Sequence, residues 1–263
     1  MTEPRRRTVG EIAAPYGNYL HVVPSPAAGV CRVCRSGCGP DYPTCPSCGW
    51  ELRGFEHRAD AVAFVSLAPY PGQLARELLR YKEAARDLQF RAKLVQGLAC
   101  VLYMWLGRHE QCVAREAGAT GFDFTTTVPS SRGREGTHPL EVVVRDIVPG
   151  VAGRYRSLLA PSGFAMGEHE FREDRFVAAE RLNGESVLII DDTWTRGSHV
   201  HAAASALKRA GADRVAIVAI GRWYRPDDGW NVHVQEQRRG LAWMPDGWES
   251  CMFNSQPHAP ALP

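Results

Sequence analysis

The feature that most restricts how this chain can fold is a strand–helix–strand unit between Val187 and Ile220. Val187 to Ile190 is an uninterrupted apolar run, the pattern of a strand buried on both faces of a parallel sheet. Ser198 to Ala210 reads as a helix, with Gly211 placed as its C-terminal cap. Arg214 to Ile220, RVAIVAI, is a second buried strand. That order implies a right-handed parallel crossover. The predicted class is therefore α/β, a parallel sheet flanked by helices.

Upstream, AVAFVSL from Ala61 reads as a strand and Tyr70-Pro71-Gly72 as a turn. Gln73 to Lys82 is predicted helical, with Leu74, Leu78 and Tyr81 on one stripe. Leu88 to about Arg115 is a longer helix, with an interruption expected near Gly107. Phe122 to Val128, FDFTTTV, is β-branched and aromatic, hence a strand. Leu140 to Ile147 resembles a helix start. Tyr155 to Ala179 reads as polar and irregular, and the tail 254–263 as disordered.

The first fifty residues have a different texture, rich in Pro, Gly and Cys. Of eight cysteines, five lie within Cys31 to Cys48, while Cys100, Cys112 and Cys251 are scattered. CRVC (Cys31, Cys34) and CPSC (Cys45, Cys48) make two C-x2-C knuckles with ten residues between. Two such knuckles complete a thiolate tetrahedron suited to Zn²⁺ in a closed, structural site. In zinc-finger peptides such binding contributes on the order of 10 kcal/mol of folding energy. Free or redox-active thiols are the alternative, and Cys38 is an uncommitted fifth. A short Cys-rich module cannot bury much apolar surface, so it needs such a staple. The expected organisation is an N-terminal arm and zinc ribbon over 1–54, an α/β domain over 55–253, and the tail.

A formal net charge of +2 is too small to argue for nucleic acid or an anionic membrane. The longest apolar window, Leu94 to Leu106, is shorter than the about 20 residues a bilayer requires. The N-terminal MTEPRRRTVGE has arginines without an apolar run behind them. These features lead to the expectation of a cytoplasmic protein with no membrane partner.

In VLIIDDTWTRGSH, Asp191 and Asp192 follow the apolar strand directly. Ligands of open α/β sheets sit beyond the carboxyl ends of the strands. The loop after them runs into a helix N-terminus, where free N–H groups suit a phosphate. Two carboxylates for sugar hydroxyls or a metal, beside an anion cradle, fit a phosphorylated sugar. An ordinary acidic strand end with an N-cap serine is the alternative.

The same stretch resembles the phosphoribosyl-pyrophosphate (PRPP) signature of type I phosphoribosyltransferases: an apolar strand, two acidic residues, then a Thr- and Gly-containing loop. The four-cysteine ribbon ahead of it is similar to that of the ComF family, whose members are amidophosphoribosyltransferase-like. GQLARELLRYKEAARD resembles that family's early helix, ending in the turn Tyr81-Lys82, and TTTVPSSRGREGTHPL the segment holding the pyrophosphate loop. The resemblance implies a type I phosphoribosyltransferase-like sheet and a PRPP-dependent pentosyltransferase using Mg²⁺, its acceptor unspecified. It implies that Asp191 and Asp192 contact the ribose hydroxyls. Thr195, Arg196, Gly197, Ser198 and His199 would wrap the 5′-phosphate. Pro129, Ser130, Ser131 and Arg132 would hold the pyrophosphate, with Arg132 as the cation. RGREGTH, 132–138, has the composition of a lid or of a plain surface loop. Arg196 and His199 stand where the family usually has small hydroxyl residues. The rival readings are a non-catalytic phosphoribosyl-ligand binder or a DNA-uptake accessory protein. DNA or protein contact through the ribbon, and a homodimer, stay open.

Overall fold

The structure is a computed structural model describing residues 5–130, 136–163, 170–231, 234 and 251–253. Its strands are β1 (Ala61–Pro69), β2 (Phe124–Thr127), β3 (Leu159–Pro161), β4 (Phe176–Ala178), β5 (Ser186–Trp194) and β6 (Arg214–Tyr224). Four of them form one sheet in the order β1-β6-β5-β2, and every neighbouring pair is parallel. The apolar run of β5 pairs in register with that of β6, Ile189 opposite Ile217, and both are fully buried. Burying one such side chain contributes about 1.5–3 kcal/mol, which is why these two runs take the middle of the sheet.

The helices are α1 (Val9–Ala13), α2 (Pro46–Gly49), α3 (Gln73–Arg80), α4 (Leu88–Glu116), α5 (Pro139–Val142), α6 (Pro149–Ala152) and α7 (Ser198–Arg209). α3, α4 and α7 pack against the sheet, so the chain is α/β with a parallel sheet flanked by helices. α7 is the crossover between β5 and β6. Just past its end Gly211 has φ +110°, and a Cβ there would lie 2.1 Å from the Leu182 carbonyl oxygen. Only glycine fits both requirements.

Several expectations need correction. α4 runs unbroken through Gly107, which is exposed and touches nothing that a side chain would displace. A helical glycine costs only about 1 kcal/mol relative to alanine, less than the helix's buried face supplies. The helix expected from Leu140 begins at Pro139 and closes as a π-helical turn over Val143–Ile147. The segment expected to be irregular contains the antiparallel pair β3–β4, with Leu159 opposite Ala178. The tail 254–263 lies outside the described residues.

β1 is one of the two edge strands, and its free hydrogen-bonding side is partly covered. Leu67 N–H donates to the His21 carbonyl at 3.2 Å, and Phe64 N–H to the Met252 sulfur at 3.2 Å. Such cover blunts an otherwise sticky edge. Among the described residues, no helix is long and apolar enough to cross a membrane.

Candidate functional site

The site forms where neighbouring strands stop at different heights. β2 ends at Thr127, opposite Ile190 of β5. The apolar run of β5 ends at Ile190 too, yet the strand continues to Trp194, because β6 offers a ladder on its other side through Asp191↔Ala219, Thr193↔Gly221 and Trp194↔Arg222. Asp191 and Asp192 therefore lie within β5 but past the end of β2. The step opens a cavity of about 320 Å³.

Three segments supply most of its wall. Asp191, Asp192, Thr193 and Trp194 come from β5. Thr195, Gly197, Ser198 and His199 come from the following loop and the first turn of α7. Val128, Pro129 and Ser130 come from the segment after β2, and Leu79, Lys82, His138 and Leu140 close the remaining side. Arg196 is not part of this wall; its guanidinium pairs with Glu51 at 3.4 Å. Ser131 and Arg132 lie outside the described residues, as does the expected lid up to residue 135.

The two aspartates have unlike surroundings. Asp192 is buried, and its Oδ2 accepts the Tyr81 hydroxyl and, at 2.9 Å, the Lys82 ammonium. Burial alone would raise its pKa. The charge and hydrogen bond of Lys82, with the Tyr81 hydroxyl, outweigh burial and hold the carboxyl below the ordinary range. Among the described residues, the hydrogen-bond donor to Asp191 is the backbone N–H of Asp192, at 2.9 Å. Its exposed part faces the cavity, hemmed in by protein, and burial followed by the neighbouring Asp192 charge pushes its pKa up to about 7. One carboxylate is thus fixed as an anion, and the other changes charge near neutrality.

In the same wall, the first N–H groups of α7 have no acceptor within the helix. The turn that presents them depends on Gly197, with φ +88° and a hypothetical Cβ only 2.3 Å from the Trp194 ring. Trp194 is itself fixed edge-on against Phe64 at 5.4 Å and His201 at 5.3 Å. The arrangement can hold a cation or hydroxyl groups at the aspartates and an anion at the start of α7.

Lys82, Tyr81 and His138 were not among the expected site residues. Tyr81 and Lys82 sit in the turn after α3, distant from Asp192 in sequence, and only a lysine in a helix-ending turn hinted at them. His138 caps α5 by accepting from Leu140 N–H at 3.2 Å, its ring 6.3 Å from Tyr81's. It is the last residue of the 132–138 segment, whose composition suggested a lid or a plain surface loop and not a cavity-lining imidazole.

The N-terminal module brings Cys31, Cys34, Cys45 and Cys48 together, all buried, with one ligand atom of each within 4.8 Å of the others. Cys34 and Cys45 sulfurs are 3.6 Å apart. Tetrahedral bonds of roughly 2.3 Å to sulfur separate the ligand atoms by roughly 3.8 Å, so the cluster could hold a metal such as zinc. Hydrogen bonds from Cys34, Cys45 and Cys48 drive the Cys31 thiol well below its ordinary range. Cys38 stays outside the group, its sulfur 3.3 Å from the Tyr42 carbonyl. The module is joined to the sheet core, and buried Arg222 of β6 donates to the Cys34 carbonyl at 2.7 Å and to the Trp194 carbonyl at 3.4 Å.

No family model matches the chain, and no curated protein sequence matches it. Nine solved chains match. One, the allosteric regulatory enzyme of purine biosynthesis, shares 19% identity over 45% of this chain and 26% of its own, with a TM-score of 0.27. The present chain thus spans about a quarter of that enzyme.

Proposed function

We propose that the cavity binds PRPP or a closely related phosphorylated ribose, and that the chain is a PRPP-dependent, ComF-like phosphoribosyltransferase. The observation that supports this most is that the acidic pair and the loop entering α7 line one cavity. At about 320 Å³ it lies near the lower end of ligand pockets, roughly 300–1,000 Å³, and suits a small phosphorylated sugar.

In this reading Asp191 and Asp192 hold the ribose hydroxyls. Thr195, Gly197, Ser198 and His199 surround the 5′-phosphate, and Arg196 adds charge from outside. Pro129, Ser130, Ser131 and Arg132 flank the pyrophosphate. Paired carboxylates are the hard oxygen donors Mg²⁺ takes together with substrate phosphates. The ion would neutralise charge on the departing pyrophosphate. The chain's own residues contribute orientation and the exclusion of water from the anomeric carbon, where an oxocarbenium-like transition state is attacked by a nitrogen nucleophile. Zinc in the four-cysteine ribbon, 1–54, would be structural, with 55–253 as the catalytic domain.

A second reading, binding without turnover, is favoured by one observation. Asp192 is already occupied by Lys82 and Tyr81, so a ligand must displace or share these contacts. Calorimetric titration with PRPP, with and without Mg²⁺, tests both. Mg²⁺-dependent binding that disappears in Asp191→Asn/Asp192→Asn is expected. Binding unchanged in that variant removes the site assignment, and binding without pyrophosphate release toward any amine supplied favours the second reading.

A further inference from the structure

We infer that His109, Cys112 and Cys251 form a second metal site, distinct from the four-cysteine module and taking Zn²⁺. One ligand atom from each lies within 4.8 Å of the others. Tetrahedral Zn²⁺, with bonds of roughly 2.0–2.3 Å, needs ligand atoms roughly 3.5–3.8 Å apart, so small side-chain adjustments complete the site. The three residues are 1%, 5% and 5% exposed.

Their placement is built from two directions. His109 and Cys112 are i and i+3 on α4 and share a face. Arg115, one turn further, donates to the Cys112 sulfur at 3.6 Å, a cation suited to a thiolate. Cys251 arrives from the far end of the chain, and its neighbour Met252 is independently anchored. The Met252 sulfur accepts Phe64 N–H at 3.2 Å, and its carbonyl accepts the Arg35 guanidinium at 3.4 Å.

The donor set selects the ion. Two thiolates favour zinc, copper(I) or iron–sulfur chemistry, and imidazole is shared with zinc. Cys2His with one further position is a known zinc arrangement, and the fourth position would go to water or another donor. The site would clasp the 251–253 segment to α4 and keep Met252 over the edge of β1. No spacing motif announces it, because one ligand is remote from the other two in sequence.

The test uses the full chain, reduced, loaded with zinc and desalted, with metal counted by mass spectrometry. Wild type is expected to hold about two equivalents, and Cys251→Ser and His109→Ala each about one fewer. A loss of one equivalent supports the site whatever the four-cysteine module retains. Variants that keep the wild-type count overturn it. So does a Cys112–Cys251 disulfide, if reduction of that bond brings no additional metal. If neither variant folds, X-ray absorption at the zinc edge of wild type decides: a shell containing nitrogen supports the site, and an all-sulfur shell overturns it.

Discussion

Lys82→Met removes the ammonium that pairs with Asp192 while keeping most of the side-chain stem. The carboxyl then retains the Tyr81 hydroxyl but loses its counter-charge. Breaking a buried ion pair costs about 3–5 kcal/mol when the other charge stays behind. The Asp192 side chain is 7% exposed, but that of Lys82 is 25% exposed. Solvent therefore already screens part of the interaction, and the expected loss is about 2–3 kcal/mol. For domains of this size, that lowers Tm by about 4–12 °C.

The pH dependence identifies the cause. In wild type the Asp192 pKa is lowered, so its stabilisation is present above the ordinary carboxylate value of about 3.9 and fades as pH falls through the folded one. In Lys82→Met burial dominates and the sign reverses. The carboxyl costs stability at high pH, and the variant recovers as the pH falls toward about 4. Thermal denaturation followed by circular dichroism at pH 8 and pH 5 should show the gap from wild type narrowing at pH 5. Lys82→Met/Asp192→Asn should be more stable than Lys82→Met alone, since it carries no stranded charge. A gap that widens at pH 5, or a double variant whose loss equals the sum of the two singles, would refute the reasoning.

Two other outcomes follow from the same site. Gly197→Ala forces a side chain into the left-handed region and against Trp194, with an expected loss of about 1–3 kcal/mol in chemical denaturation; a neutral result would mean that the turn relaxes freely. Asp191, with its pKa raised to about 7, favours the folded state fully below about pH 4, and that contribution is lost as pH rises to about 7. Wild-type stability should thus fall across that interval relative to Asp191→Asn and run parallel to it above; parallel curves throughout would show that Asp191 ionises normally.

What could be read from the sequence was local. Val187–Ile190, the α7 segment and RVAIVAI each carry their own periodicity, so the crossover was legible, as were the two C-x2-C knuckles. Contacts between distant segments were not legible. Whether β5 stops at Ile190 or runs to Trp194 depends on β6, which supplies partners that no local pattern contains. The union of Asp192 with Tyr81 and Lys82, and of Cys251 with His109 and Cys112, is likewise a product of packing. The β3–β4 pair was missed because strands this short hardly alternate.

Arg222 joins Cys34 in the cysteine module to the Trp194 carbonyl at the cavity wall, one guanidinium touching both. The module is therefore a poor candidate for trimming, because its removal takes away the Cys34 carbonyl that helps fix Arg222 beside the cavity wall. If metal in the knuckles changes the affinity of the cavity for its ligand through this contact, linkage requires that the ligand change the affinity for metal by the same factor.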